Sequence, residues 1–125
     1  KGFDKWNELA EQVFLTLVSM EEGFRDDLYV IVNAHTQTQQ DANGNSVTYL
    51  QTPGKLLENQ IKLQSYMTYI FHSVVLEGVE GIEYKFLTNR DGSGREAKSP
   101  QGCFDLLIDN DFKMIIDSIE EYQNS

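Results

Sequence analysis

Residues 30–39 read VIVNAHTQTQ, and the break inside this stretch decides how the sequence is read. Leu28 to Val32 are aliphatic, aromatic or β-branched without a charge, then Asn33, Ala34 and His35 follow, and after them only polar residues. A continuous apolar run of this length fits a strand buried on both faces, as in a parallel sheet. The strand would deliver His35 to the carboxyl end of the sheet, where open parallel sheets bind ligands. An imidazole there can donate to a phosphate or orient water. The simpler alternative is a polar residue that ends a strand.

Upstream, residues 4–22 predict an amphipathic helix. Phe3, Trp6, Leu9, Ala10, Val13, Phe14, Leu17 and Val18 recur at three- and four-residue spacing, with Asp4 as cap and Gly23 as stop. Helix, short turn and buried strand make half of a βαβ unit. Downstream, residues 36–52 are polar around Asn43-Gly44, which predicts a hairpin with a primed turn or a mobile functional loop. Thr52 and Pro53 open a short helix in TPGKLLENQIK. Residues 66–76 read as a strand, and 82–89 as a second, antiparallel to it, with Ile82, Tyr84 and Phe86 on one face. A turn-rich loop, RDGSGREAKSPQG, follows. A last helix covers 111–122, with Phe112, Ile115, Ile116 and Ile119 on one side. The order predicts an α/β layout with the strands in one mixed sheet flanked by helices.

At 125 residues the chain fits a single domain, and 40% apolar residues suffice for one modest core. Twenty acids against ten bases leave a formal charge of −10, which argues against nucleic-acid binding through bulk charge but allows a local basic loop. A single cysteine, Cys103, excludes an internal disulfide and fits a reducing compartment. No run of 18 apolar residues and no secretory signal is present. The chain starts at Lys1 without a Met, as a piece cut from something longer or freed of a tag would.

Against the acidic background, Arg90, Arg95 and Lys98 fall within nine residues of one glycine-rich loop. Flexible cations suit phosphates, and arginine adds a bidentate fork. The plain reading is a solvated loop. Gly54 and Lys55, at a helix start, offer an anion site or a simple cap. The spacing G-x-x-x-x-G-K-[ST] of a P-loop is absent. His35 and His72 lack a spaced third ligand, so no metal is assigned. No nucleophile–base pair or catalytic carboxylate pair stands out.

Taken together, YVIVNAHTQ, YLQTPGKLLEN, YKFLTNRDGSGREAKSPQGCF and IDNDFKMIIDSIEEY resemble the C-terminal half of phage-encoded RecA-like P-loop ATPases of the single-strand annealing and recombination type. The resemblance runs over nearly the whole chain and rests on the order and spacing of these segments. It implies part of a RecA-like core, and a cytoplasmic setting in a bacterial host cell. It implies that His35 senses the γ-phosphate. Gln37, Gln39, Asn43 and Lys55 would belong to loops facing single-stranded DNA. Arg90, Arg95 and Lys98 would reach the nucleotide of a neighbouring subunit, so the parent self-associates. ATP and Mg²⁺ would be cofactors of the longer parent only. The P-loop and the acidic metal-binding strand are missing from these residues, and they supply much of the positioning in this chemistry. The chain alone is therefore expected to be inactive. A sheet cut in half exposes edges, so the fragment is expected to be able to dimerise. The rival expectation is a non-catalytic acidic α/β protein-interaction module.

Overall fold

The computed structural model describes residues 8, 12, 15, 16, 19, 26–50 and 63–125. Contacts divide the chain into two compact units, Lys1–Thr38 with Tyr49–Met67, and Gln39–Thr48 with Thr68–Ser125. The described residues combine helix with antiparallel sheet, an α+β arrangement.

In the first unit Glu8, Gln12, Leu15, Thr16 and Ser19 are helical and exposed. The Thr16 hydroxyl donates to the Gln12 carbonyl at 2.8 Å, the back-bond a threonine makes within a helix. The predicted apolar face of that helix, the Asp4 cap and the Gly23 stop lie outside the described residues. So does the helix expected from Thr52 and Pro53.

The stretch expected to be the buried parallel strand is a correction. Residues 28–35 belong to no strand, and Val30, Ile31 and Val32 are 45%, 51% and 50% exposed. Apolar and β-branched residues fit a pleated surface, but they do not supply the neighbouring ladder that makes a strand. His35 therefore does not end a buried strand; it is exposed and precedes one.

The strands begin at Thr36. Strand β1 (Thr36–Gln40) and strand β2 (Ser46–Leu50) form a two-stranded hairpin. Its turn is not primed. A type I′ turn needs positive φ at both central residues; here Gly44 has φ 82° and no non-glycine residue among the described ones has positive φ. Instead Gly44 N–H donates to the Asp41 carbonyl at 3.0 Å. The Asp41 carboxylate holds the tip, accepting from Asn43 N–H and Asn45 N–H at 2.9 Å each.

In the second unit β3 (His72–Gly78), β4 (Gly81–Leu87) and β5 (Leu107–Asp109) form one antiparallel sheet in the order β3-β4-β5. The register pairs Val75 with Tyr84, Ser73 with Phe86, and Phe86 with Ile108. The expected pairing of the two long strands is thus present. The sheets of the described residues are antiparallel, and the parallel member expected of a mixed sheet, residues 28–32, is not a strand. Helix α1 (Phe112–Gln123) starts at Asp111, whose carboxylate accepts from Lys113 N–H at 3.0 Å and Met114 N–H at 3.3 Å.

Alternation along β4 and β5 sends Phe86 and Ile108 to one face, where they meet Ile115 and Ile119 of α1. Tyr69, Phe71, Cys103, Phe104 and Met114 pack around this core. The Phe71 ring meets Phe104 edge-on at 5.4 Å and Phe86 at 5.8 Å. Leu87, on the other face of β4, and Ala97 are also buried. Ile82 and Tyr84 share the Phe86 face, yet both are exposed. Among the described residues no helix is long and apolar enough to cross a membrane.

Candidate functional site

The cationic loop between β4 and β5 is rigidly seated. Thr88 is fully buried; its N–H donates to the Leu106 carbonyl at 2.9 Å and its hydroxyl to the Asp105 carbonyl at 2.7 Å. Ser99 closes the loop on itself. Its hydroxyl donates to the Thr88 carbonyl at 2.9 Å, and its N–H to Asn89 Oδ1 at 3.2 Å. Lys98 and Ile70 exchange two backbone hydrogen bonds, at 2.8 and 2.9 Å. These bonds satisfy polar groups that burial would otherwise leave unpaired, and fix both ends of residues 88–99.

Between those ends the loop rises as RDGSGREA. Asp91 organises the tip. Its carboxylate accepts from Ser93 N–H at 3.0 Å and from the Ser93 hydroxyl, and its second oxygen takes Arg95 Nη2 at 3.1 Å. Ser93 donating twice, with the guanidinium alongside, holds the Asp91 carboxyl down at about 2. Arg95 Nε donates to Ser93 Oγ at 2.8 Å as well. Arg90 reaches the other way, with Nη2 at 2.8 and 3.1 Å from the two Glu96 oxygens. Its side chain is 74% exposed against 14% for Glu96, so the guanidinium faces solvent over a carboxylate seated below. An open depression beside it is lined by Asn89, Arg90, Glu96, Ala97 and Lys98. His72, at the start of β3, is half-buried; burial first, and the charge of Arg95 second, push its pKa down, while a hydrogen bond with the Glu96 backbone opposes them.

A backbone hydrogen bond joins this loop to the hairpin. Thr48 N–H, on β2, donates to the Gly94 carbonyl at 2.7 Å. Gly94 has φ +86°, and a Cβ there would lie 2.0 Å from the Ser46 carbonyl oxygen. The close approach of the two backbones therefore requires glycine.

Comparison of the chain with protein-family models, curated proteins and solved structures finds no match.

Of the residues selected from the sequence, Arg90, Arg95 and Lys98 share one loop of the second unit. Asn43 is exposed at the hairpin tip and Gln39 is exposed on β1. Gln37, in the first unit, is partly buried, and its Nε2 is enclosed without a hydrogen-bond partner. His35 is exposed in the first unit. Lys55 lies outside the described residues. Sequence reasoning passed over Asp91, Glu96, Gly94 and the Thr88–Asn89–Ser99 base. The alternation of base and acid in RDGSGRE was the available signal for the first two. Among the described residues no three His, Cys, Asp or Glu side chains come together as a metal site. Cys103 is half-buried, and burial raises its pKa, which favours the protonated thiol.

Proposed function

We propose that this chain is the C-terminal portion of a RecA-like ATPase of phage or prophage DNA recombination. In this reading the 36–50 hairpin faces single-stranded DNA, and the 90–98 loop presents cations to the nucleotide of a neighbouring subunit. The observation that carries it is the Thr48–Gly94 hydrogen bond, a direct mechanical link between the polar hairpin and the cationic loop. A strand bound along the hairpin would then bear on the loop that addresses phosphate, as a DNA-dependent ATPase requires.

The donors fit a phosphate. Arg90 presents its fork at the surface, and its partner Glu96 is an ion pair of the kind that contributes about 0–1 kcal/mol when exposed. A phosphate with more negative charge can take the fork over. Arg95 is held more firmly by Asp91 and Ser93 and serves to shape the tip. ATP and Mg²⁺ would be held by the P-loop half of the parent, as the resemblance to RecA-like ATPases implies. His35 remains the proposed γ-phosphate sensor, presented from exposed backbone rather than from a buried strand end. In the full-length parent, Arg90→Ala and His35→Ala should each cut ATP turnover with folding intact. Unchanged turnover in both would remove the basis of the assignment.

The second reading, a non-catalytic acidic interaction module, is favoured by one observation: both arginines are already neutralised by carboxylates of their own loop. The reading frame upstream of Lys1 separates the two. A strand followed by G-x-x-x-x-G-K-[ST] favours the ATPase, and an unrelated domain favours the module.

A further inference from the structure

Arg90 and Glu96 form one ion pair but are held very differently. Glu96 is the fixed half. Its side chain is only 14% exposed, and its neighbour Ala97 is buried. A hydrogen bond joins His72 to the Glu96 backbone, and Lys98 exchanges two backbone bonds with Ile70 just beyond it. Arg90 is the half that moves. Its side chain is 74% exposed, and both of its bonds to Glu96 leave from one nitrogen, Nη2. Arginine at its strongest uses two nitrogens side by side. Arg95, by contrast, is tied through Nε to Ser93 and through Nη2 to Asp91. Of the two arginines, Arg90 is therefore the one placed to exchange partners.

We infer that the Arg90–Glu96 pair is an autoinhibitory latch: Glu96 occupies the guanidinium, and the loop takes a phosphate only when Arg90 has left it. The inference rests on the reading of residues 90–98 as a phosphate-facing loop and adds what regulates that loop. Release has a cost on the Glu96 side, because a mostly buried carboxylate loses its counter-charge. A latch weakens binding of every anion by one common factor, the fraction of chains in which Arg90 is released. Plain repulsion between Glu96 and the ligand acts otherwise, since it grows with the ligand's charge. Neutralising Glu96 thus separates the two.

The test is an NMR titration of the chain with methyl phosphate and with dimethyl phosphate, following the backbone amides of residues 90–98. It is run above the second phosphate pKa of about 6, where the first ligand is a dianion and the second a monoanion. Glu96→Gln should raise the affinity for both by the same factor, about fivefold, the equivalent of about 1 kcal/mol for the lost pair. Glu96→Asp keeps the charge but shortens the reach, and should also bind both ligands more tightly than the wild-type chain. In an Arg90→Ala background Glu96→Gln should give no gain. Circular dichroism checks that each variant is folded. No gain in either Glu96 variant overturns the inference, as does an equal gain in the Arg90→Ala background or a gain that is larger for the dianion. Amides that respond to neither ligand in the wild-type chain and in Glu96→Gln overturn the phosphate-facing reading and the latch with it. Unchanged ATP turnover in the parent's Arg90 and His35 variants removes the ATPase assignment alone, so the two failures are distinguishable.

Discussion

Replacing Gly94 with alanine tests the link between hairpin and loop most directly. Two costs arise together. At φ +86° an L-residue bears a strain of about 1–2 kcal/mol. The new methyl would also sit 2.0 Å from the Ser46 oxygen and 3.0 Å from its carbonyl carbon, both backbone atoms that cannot swing aside. Relief comes only by parting β2 from the loop, which breaks the 2.7 Å bond from Thr48 N–H to the Gly94 carbonyl. That bond contributes about 1 kcal/mol, so Gly94→Ala should destabilise the chain by roughly 2–3 kcal/mol. Gly92→Ala is the control. Its φ is +89° but open space surrounds it, so only the strain of about 1–2 kcal/mol applies. Urea denaturation of the two variants gives the difference, and hydrogen exchange at the Thr48 amide locates it. Equal destabilisation of the two, with Thr48 still protected in Gly94→Ala, would refute the reasoning.

Thr88→Val keeps the shape of a fully buried side chain but leaves the Asp105 carbonyl without its donor, which should cost about 1–3 kcal/mol in denaturant; Thr88→Ser, which keeps the hydroxyl, should cost less than Val, and the reverse order would count against this account. Acid should loosen the loop tip late: the Asp91 carboxyl is depressed from 3.8 to about 2, so its contribution is full above about 3.8 and is lost as pH falls towards 2. Resonances of Ser93 and Arg95 followed by NMR should shift in that low window in the wild-type chain, and a transition centred above pH 4 would contradict it.

Signals that act within a few residues were legible in the chain. Asn43-Gly44 marked a hairpin and Asp111 a helix start. The spacing of Ile115 and Ile119 marked the buried stripe of α1, because glycine freedom, side-chain capping and helical period are local properties. The cationic loop was also visible as composition. Strand β5 was not: three residues, Leu107–Asp109, carry no period, and they become a strand only because β4 offers its edge. The apolar run at 28–32 failed in the opposite sense. Its residues have the character of a buried strand, but strand formation is a pairing, and no neighbour in the described sheets receives it.

The same division holds at the site. Residue type alone determined that Arg90 and Arg95 would stand in a turn-rich loop of an acidic chain. Their charge state of affairs was decided in three dimensions: the turn around Ser93 folds Asp91 onto Arg95, and the chain bends to lay Glu96 beneath Arg90. Gly94 marks the boundary between the two kinds of information. Its lack of a Cβ is written in the sequence, whereas the reason it cannot have one, the Ser46 carbonyl of a distant hairpin, exists only after the chain has closed on itself.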